Sequence, residues 1–226
     1  MAFSLVHEVK RVNFNLLWCN ALALLAALAL AGLPWALGVA KSSEAYFWYV
    51  LAAPLLLLSL WNLRKWLVRS QDLESHPLLE KIKGLGLILE GVDQDLDRSP
   101  YFLGFSLGRS WLLQQGFFKL ELEALTDAIW AYPRVRHNGY LFYSQAVVHF
   151  RSGKSLAGGS TTDSKKVNLF LSQLSQTAPW VIMGENDDLS KLWKKDREEF
   201  AAQVDQRRKV LESSKRRAET PNDSNG

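Results

Sequence analysis

The chain has 226 residues, with 27 Lys and Arg against 23 Asp and Glu, 48% hydrophobic and 12% aromatic residues, and a mean hydropathy of -0.08. Those averages fit a soluble domain, but every position from Leu16 to Val39 and from Tyr46 to Leu63 is uncharged, which excludes a wholly soluble chain. The single cysteine, Cys19, lies inside the first apolar run and excludes a disulfide framework.

Residues 1–15 read as a cytoplasmic N-terminal segment. Leu16 to Val39 is 24 residues, and a helix rising about 1.5 Å per residue needs about 20 to cross a hydrocarbon core of roughly 30 Å. Its nine leucines each favour insertion by roughly 0.3 to 0.6 kcal/mol near the bilayer centre. Pro34 can kink this first transmembrane helix without stopping it. Tyr46 to Leu63, with Pro54 ahead of Leu55 to Leu58, predicts a second, shorter span of 18 residues.

The intervening 40–45 segment is too short for a domain, so the two spans form an antiparallel hairpin. Lys10 and Arg11 precede it and Arg64, Lys65 and Arg69 follow it, whereas Lys41 in the turn is offset by Glu44. The excess of positive charge predicts both termini in the cytoplasm and an external turn. Trp18, Trp35, Tyr46, Trp48, Tyr49, Trp61 and Trp66 cluster near the span ends, where amphipathic rings favour the headgroup zone. A cleaved signal peptide ending at Ala29-Leu30-Ala31 competes, but the apolar run continues past that site to Val39. Ala23, Ala26, Ala27 and Ala31 form a small-residue face on which another membrane helix could pack.

From Arg64 onward 24 Lys and Arg face 21 Asp and Glu over 163 residues, enough chain for one cytoplasmic domain. Residues 64–99 predict a continuation of the second helix to Gln71, then two short amphipathic helices, the first opened by Pro77 and the second over Leu87 to Asp97. After Pro100 short apolar or alternating stretches predict strands over Phe102 to Leu107, Trp111 to Gln115, Lys119 to Leu122, Asp127 to Val135, Leu141 to Phe150 and Ser155 to Gly158. Five or six such strands suggest an antiparallel meander that curls into a small barrel. Thr162 or Asp163 caps a helix presenting Val167, Phe170, Leu171 and Leu174, which Pro179 ends. One final helix from Asn186 to Asp188 onward presents Leu189, Leu192, Trp193, Phe200 and Val204. The α+β domain covers 100–206, and 207–226 reads as a disordered basic and polar tail, since little beyond Val210 can be buried.

Chemistry-bearing patterns are sparse. Gly153-Lys154-Ser155 lacks the preceding glycine of a phosphate loop, Val148 standing there, and reads as a hairpin turn. Asp93, Asp95 and Asp97 have calcium-loop spacing, but Arg98 replaces the glycine of the sharp turn and Gly104 the closing glutamate, so a solvated acidic face is expected. His7, His76, His137 and His149 show no metal-ligand spacing, and no metal or other cofactor is expected. His149 reads as a partly exposed strand residue. Trp111, Trp130 and Tyr132 read as core or strand-face aromatics. With neither a G-x-S-x-G nor an H-E-x-x-H element, a membrane-bound enzyme acting on lipid or envelope substrate remains the alternative to a binding protein.

The basic residues carry the positive expectation. Arg64, Lys65 and Arg69 follow the second span, Arg134 and Arg136 share one strand end, and Lys165 and Lys166 open a helix. Each basic side chain close to an anionic bilayer is worth about 1 kcal/mol, so these seven are the candidate lipid-headgroup contacts. Nucleic acid is not expected, because Glu198, Glu199 and Glu212 interrupt the C-terminal basic stretch.

Arg109-Ser110-Trp111-Leu112-Leu113, then Thr126 to Tyr132, then Tyr143 to Phe150 with the Ser152-Gly153-Lys154 turn and a capping helix form an order that resembles the bacterial pleckstrin-homology-like domains found beside membrane spans. The likeness covers Arg109 to Gln176, about a third of the chain. It implies a small barrel closed at one end by a helix, a scaffolding or membrane-proximal binding role, and no catalytic residues. The helices after Pro77 and the long C-terminal helix depart from that pattern. The expectation is therefore a multi-pass protein of the cytoplasmic membrane, whose α+β domain engages anionic headgroups or a membrane or cytoplasmic protein partner.

Overall fold

The computed structural model describes residues 3–38, 40, 44–71, 76–97, 99–137 and 139–219, with the backbone alone at 44, 68–71 and 217–219. The fold is mixed α+β, two apolar helices followed by sheets and helices. The chain divides into two compact units, Met1–Asp93 with Gly116–Leu120, and Gln94–Gln115 with Glu121–Gly226.

In the first unit α1 (Leu5–Ala36) packs along α2 (Glu44–Gln71), and each carries its proline internally, Pro34 and Pro54. Helix α1 begins well before the apolar run, because Leu5, Val9 and Val12 make a buried stripe at helical spacing. Ser4 provides no side-chain cap; Asp93 accepts the Leu5 N–H at 2.9 Å instead. Both helices are long and apolar enough to cross a membrane, with mean hydropathies of 2.2 and 1.5, and only 11% of either apolar window is buried. A soluble core helix would be covered. Among the small residues of α1, Ala27 is fully buried. Of the expected external turn over 40–45, residues 41–43 lie outside the described residues, as does 39 just before it.

Helix α3 (Pro77–Gly84) starts where Pro77 predicts, with His76 as N-cap accepting the Leu78 N–H at 3.2 Å, and α4 (Leu89–Asp97) follows. The three aspartates of α4 are no uniformly solvated face. Asp93 caps α1, and Asp95, in the second unit, accepts the successive backbone N–H groups of Arg109, Ser110 and Trp111 at 3.0 to 3.1 Å.

The second unit contains two four-stranded sheets in place of the single meander expected. The first has the order β1 (Tyr101–Phe102), β2 (Phe105–Leu107), β3 (Trp111–Gln115), β4 (Leu120–Ala124). What reads as one strand over Phe102 to Leu107 is a hairpin, since Leu103 and Gly104 adopt φ of 53° and 80° and close a two-residue turn. The second sheet runs β7 (Ser155–Ala157), β6 (Phe142–Phe150), β5 (Ala128–His137), β8 (Ile182–Met183). Strand β8 lies parallel to β5 at Trp130 and Ala131, a pairing absent from the sequence expectation. Trp130 holds it through an indole N–H to the Gly184 carbonyl at 2.6 Å. Pro133 follows on β5 where β8 no longer pairs, as a residue without an N–H requires.

Both sheets contribute to one core, where Phe105, Leu112, Ala131, Val148 and Phe150 meet Val167, Phe170, Leu171 and Leu174 of α5 (Ser164–Thr177). Asp163 caps α5 by accepting the Lys165 N–H. The opposite face of the second sheet presents Trp130, Tyr132 and Val147 to Trp193 of α6 (Asp187–Lys195) and to Phe200 and Val204 of α7 (Arg197–Glu219). The single final helix of the sequence reading is thus two, because Asp196 leaves helical dihedrals and caps α7 by accepting the Glu199 N–H at 2.9 Å. Helix, not disorder, also continues from Arg207 to Glu219, supported by the Arg208–Glu212 pair at 3.0 Å. The last residues, 220–226, lie outside the described residues.

Candidate functional site

One end of the second sheet is exposed among the described residues. Strands β5 and β6 are the longest, and their register pairs Tyr132 with Val147, Arg134 with Gln145, Val135 with Ser144 and Arg136 with Tyr143. Alternation along β5 sets Trp130, Tyr132, Arg134 and Arg136 on one face. The first two are buried; Arg134 is half-buried and Arg136 exposed. The same end exposes Val135 on the other face and Tyr140, Leu141 and Phe142 beyond the strand, with Tyr140 at 93% exposure. The His137 and Phe142 rings stack at 4.5 Å.

Ser144 bridges on its other side to Thr161, and Gln145 donates to the Ser160 hydroxyl at 2.8 Å. With strands about 4.8 Å apart, Thr161 stands about 10 Å from Val135 across the sheet. Lys165 and Lys166 follow within one turn of α5, exposed, at a helix end whose positive partial charge the Asp163 carboxylate caps. Of the seven predicted cations, Arg134 and Arg136 thus lie at that end of the sheet on the face of Trp130 and Tyr132, while Lys165 and Lys166 open α5, which packs on the opposite face.

The remaining three sit elsewhere. Arg64 and Lys65 are exposed on α2 of the first unit, with the Lys65 ammonium 5.3 Å from the Trp61 ring centre. Arg69 lies on the α2 backbone, and its side chain falls outside the described residues.

A polar chain runs inward from the basic end. Arg134 donates to the Tyr132 hydroxyl oxygen at 2.8 Å, that hydroxyl lies 3.3 Å from His149 Nε2, and His149 Nδ1 lies 2.6 Å from the Ser155 hydroxyl. His149 is buried, not a partly exposed strand residue, because Trp130, Tyr132 and Trp193 enclose its ring at 4.8, 5.5 and 4.9 Å. Burial first, then the positive charges of Arg134 and Arg197, lower its pKa to about 4, so the imidazole is neutral at physiological pH.

Arginine can only donate, which leaves the tyrosine proton for Nε2 and the Nδ1 proton for Ser155. The assignment satisfies each group and turns the exposed Ser155 hydroxyl proton outward. It also removes the base a nucleophilic serine needs, since a histidine of pKa near 4 accepts protons poorly at neutral pH. A tyrosine stands where a catalytic triad has its orienting carboxylate.

No family model, curated protein or solved structure matches this chain.

The residues that sequence reasoning missed are His149, Ser155 and Arg197. Once Ser152-Gly153-Lys154 is read as a hairpin turn, His149 opposite Ser155 follows from the register. Lys154, the centre of the discarded phosphate-loop motif, is held by Glu123 at 2.6 Å and Glu121 at 3.5 Å. Burial works against its charge, and the two carboxylates outweigh burial and raise its pKa. Arg197 lies over the Trp193 ring at 5.1 Å. Its guanidinium occupies the space a Cβ at Gly153 would need, 2.5 Å away. Trp111 is half-buried, with Trp130 and Tyr132 in the core as expected. Among the described residues no three of His, Cys, Asp and Glu stand close enough to hold a metal ion.

Proposed function

We propose that this chain is a membrane-anchored binding protein, with α1 and α2 crossing the cytoplasmic membrane as a hairpin, both termini on the cytoplasmic side, and the sheet unit engaging anionic lipid headgroups. The observation that carries the headgroup reading is the exposed end of the second sheet, where Arg134 and Arg136 share a strand end with exposed Tyr140, Leu141 and Phe142 following in the chain, and Lys165 and Lys166 open α5 just after the Ser144–Thr161 bridge. Cations supply attraction to phosphates and the adjoining aromatic and aliphatic groups suit the interfacial zone.

The anchoring is supported by the length, apolarity and exposure of both helices, with Trp18, Trp35, Tyr46 and Trp61 exposed near the ends of their apolar stretches. Arg64 and Lys65 after the apolar part of α2, and Lys10 and Arg11 before the apolar part of α1, support the orientation. A pleckstrin-homology-like domain is supported by two sheets sharing one core that α5 covers.

The test is a full-length C19A variant carrying an environment-sensitive dye at Y140C, reconstituted in nanodiscs. Blue-shifted emission is expected with phosphatidylglycerol and not with phosphatidylcholine alone, and R134E/R136E/K165E/K166E should abolish the shift. Equal emission in both lipids would contradict headgroup binding and favour a protein partner at that end.

A further inference from the structure

The turn between β3 and β4 breaks the usual chemistry of turns. Gly116-Phe117-Phe118-Lys119 closes through the Gly116 N–H to the Lys119 carbonyl at 2.8 Å. Its two central positions, normally Gly, Asn, Asp or Pro, are phenylalanines exposed at 60% and 51%. Their rings meet edge to face at 4.7 Å, so they shield little of each other from solvent. Two large apolar groups at the tip of a tight turn need an apolar occupant.

The first unit supplies the depth at which that occupant is met. Gly116–Leu120 belongs to the unit of α1 and α2, and the Asn15 amide donates to the Phe117 carbonyl at 3.1 Å. Asn15 immediately precedes the apolar run that begins at Leu16. On either side of Asn15, Phe14 and Trp18 are each 55% exposed, with rings 6.1 Å apart. Phe14, Trp18, Phe117 and Phe118 thus lie around the boundary between polar and apolar helix, with Lys119 exposed beside them. Aromatic rings with an adjacent cation are the composition preferred at the headgroup level.

We infer that the Gly116–Lys119 turn is a membrane-contacting element, seating Phe117 and Phe118 in the bilayer interface at the cytoplasmic end of α1. The inference rests on α1 being a span. Gly116 follows the last residue of β3 and Leu120 opens β4, so a seated turn ties that hairpin to the bilayer without a third span.

The experiment uses the full-length C19A protein in liposomes, with a fluorophore on F117C, on F118C in a second protein, on L22C within the apolar run and on S152C at an exposed turn. Lipids bearing a nitroxide near the headgroup and aqueous iodide serve as quenchers. Lipid quenching at 117 or 118 and at 22, but not at 152, is the expected result. Quenching at 22 with only iodide reaching 117 and 118 would overturn the inference while leaving the span intact. Protection of 117 and 118 from both quenchers would overturn it in favour of a protein occupant. Loss of lipid quenching at 22 as well would overturn the span and the inference together.

Discussion

The carboxylate of Asp95 accepts the backbone N–H of Trp111 at 3.1 Å while also holding those of Arg109 and Ser110 at 3.0 Å each. Three successive donors converge on one side chain, and Gly108 completes the arrangement, because a Cβ there would run into that carboxylate and come within 3.0 Å of the Asp95 carbonyl. D95A should cost about 2 to 3 kcal/mol, as hydrogen bonds to a charged group are worth roughly 1.5 to 3. G108A should cost about 1 to 3 kcal/mol through overpacking. The double variant should lose less than the sum, since removing the carboxylate relieves part of the clash. Chemical denaturation of the four proteins in detergent measures the cycle.

The stability of the sheet unit should fall in mild acid. His149 binds its proton near pH 4 when folded and near 6.5 when unfolded, so below 6.5 the unfolded state takes up a proton that the folded state refuses. The neutral, buried form therefore contributes fully above pH 6.5 and progressively less down to about pH 4. The full difference is about 3 kcal/mol at 1.36 kcal/mol per unit. Unfolding free energies of the wild type and H149Q across that window should differ in slope, the variant being flatter.

Asp196 separates α6 from α7 and accepts the Glu199 N–H at 2.9 Å. D196A should lower stability by about 1 kcal/mol, the usual cost of losing an N-cap. D196S, which can still cap, should recover most of it. Thermal unfolding followed by far-ultraviolet circular dichroism distinguishes the three proteins.

Long, strongly patterned elements were legible in the sequence. The apolar helices follow from uninterrupted hydrophobicity, and α5 from Asp163 and the spacing of Val167, Phe170, Leu171 and Leu174. Less visible were elements that depend on partners distant in the chain. Strand β8 is two residues long and exists because Trp130 and Ala131 offer it a ladder. The Leu103-Gly104 turn lacks the Asn-Gly signature, and its left-handed leucine is held by tertiary bonds, with the Leu103 carbonyl accepting the Gly159 N–H at 2.5 Å. The basic end was half legible. Each cation could be picked out by type, but the start of α5 beside β6 needed the Ser144 to Thr161 bridge, which no local pattern encodes.

Headgroup attraction at that end should be electrostatic and hence sensitive to salt. At about 1 kcal/mol per cation near the surface, reversing Arg136 alone should weaken the contact measurably and reversing all four should remove it. Raising ionic strength from 0.1 M to 1 M shortens the screening length from about 10 Å to about 3 Å and should reproduce the loss. Emission of the dye at Y140C, titrated with salt in anionic nanodiscs, reports both effects.

The most direct test of the membrane hairpin with an inward-facing domain is the sidedness of two positions in intact cells. In a C19A background, S42C lies between the two apolar helices and E212C lies on α7. A membrane-impermeant thiol reagent should label S42C on intact cells and E212C only after permeabilisation. Labelling of E212C on intact cells, or of neither position until the membrane is breached, would contradict the proposed topology.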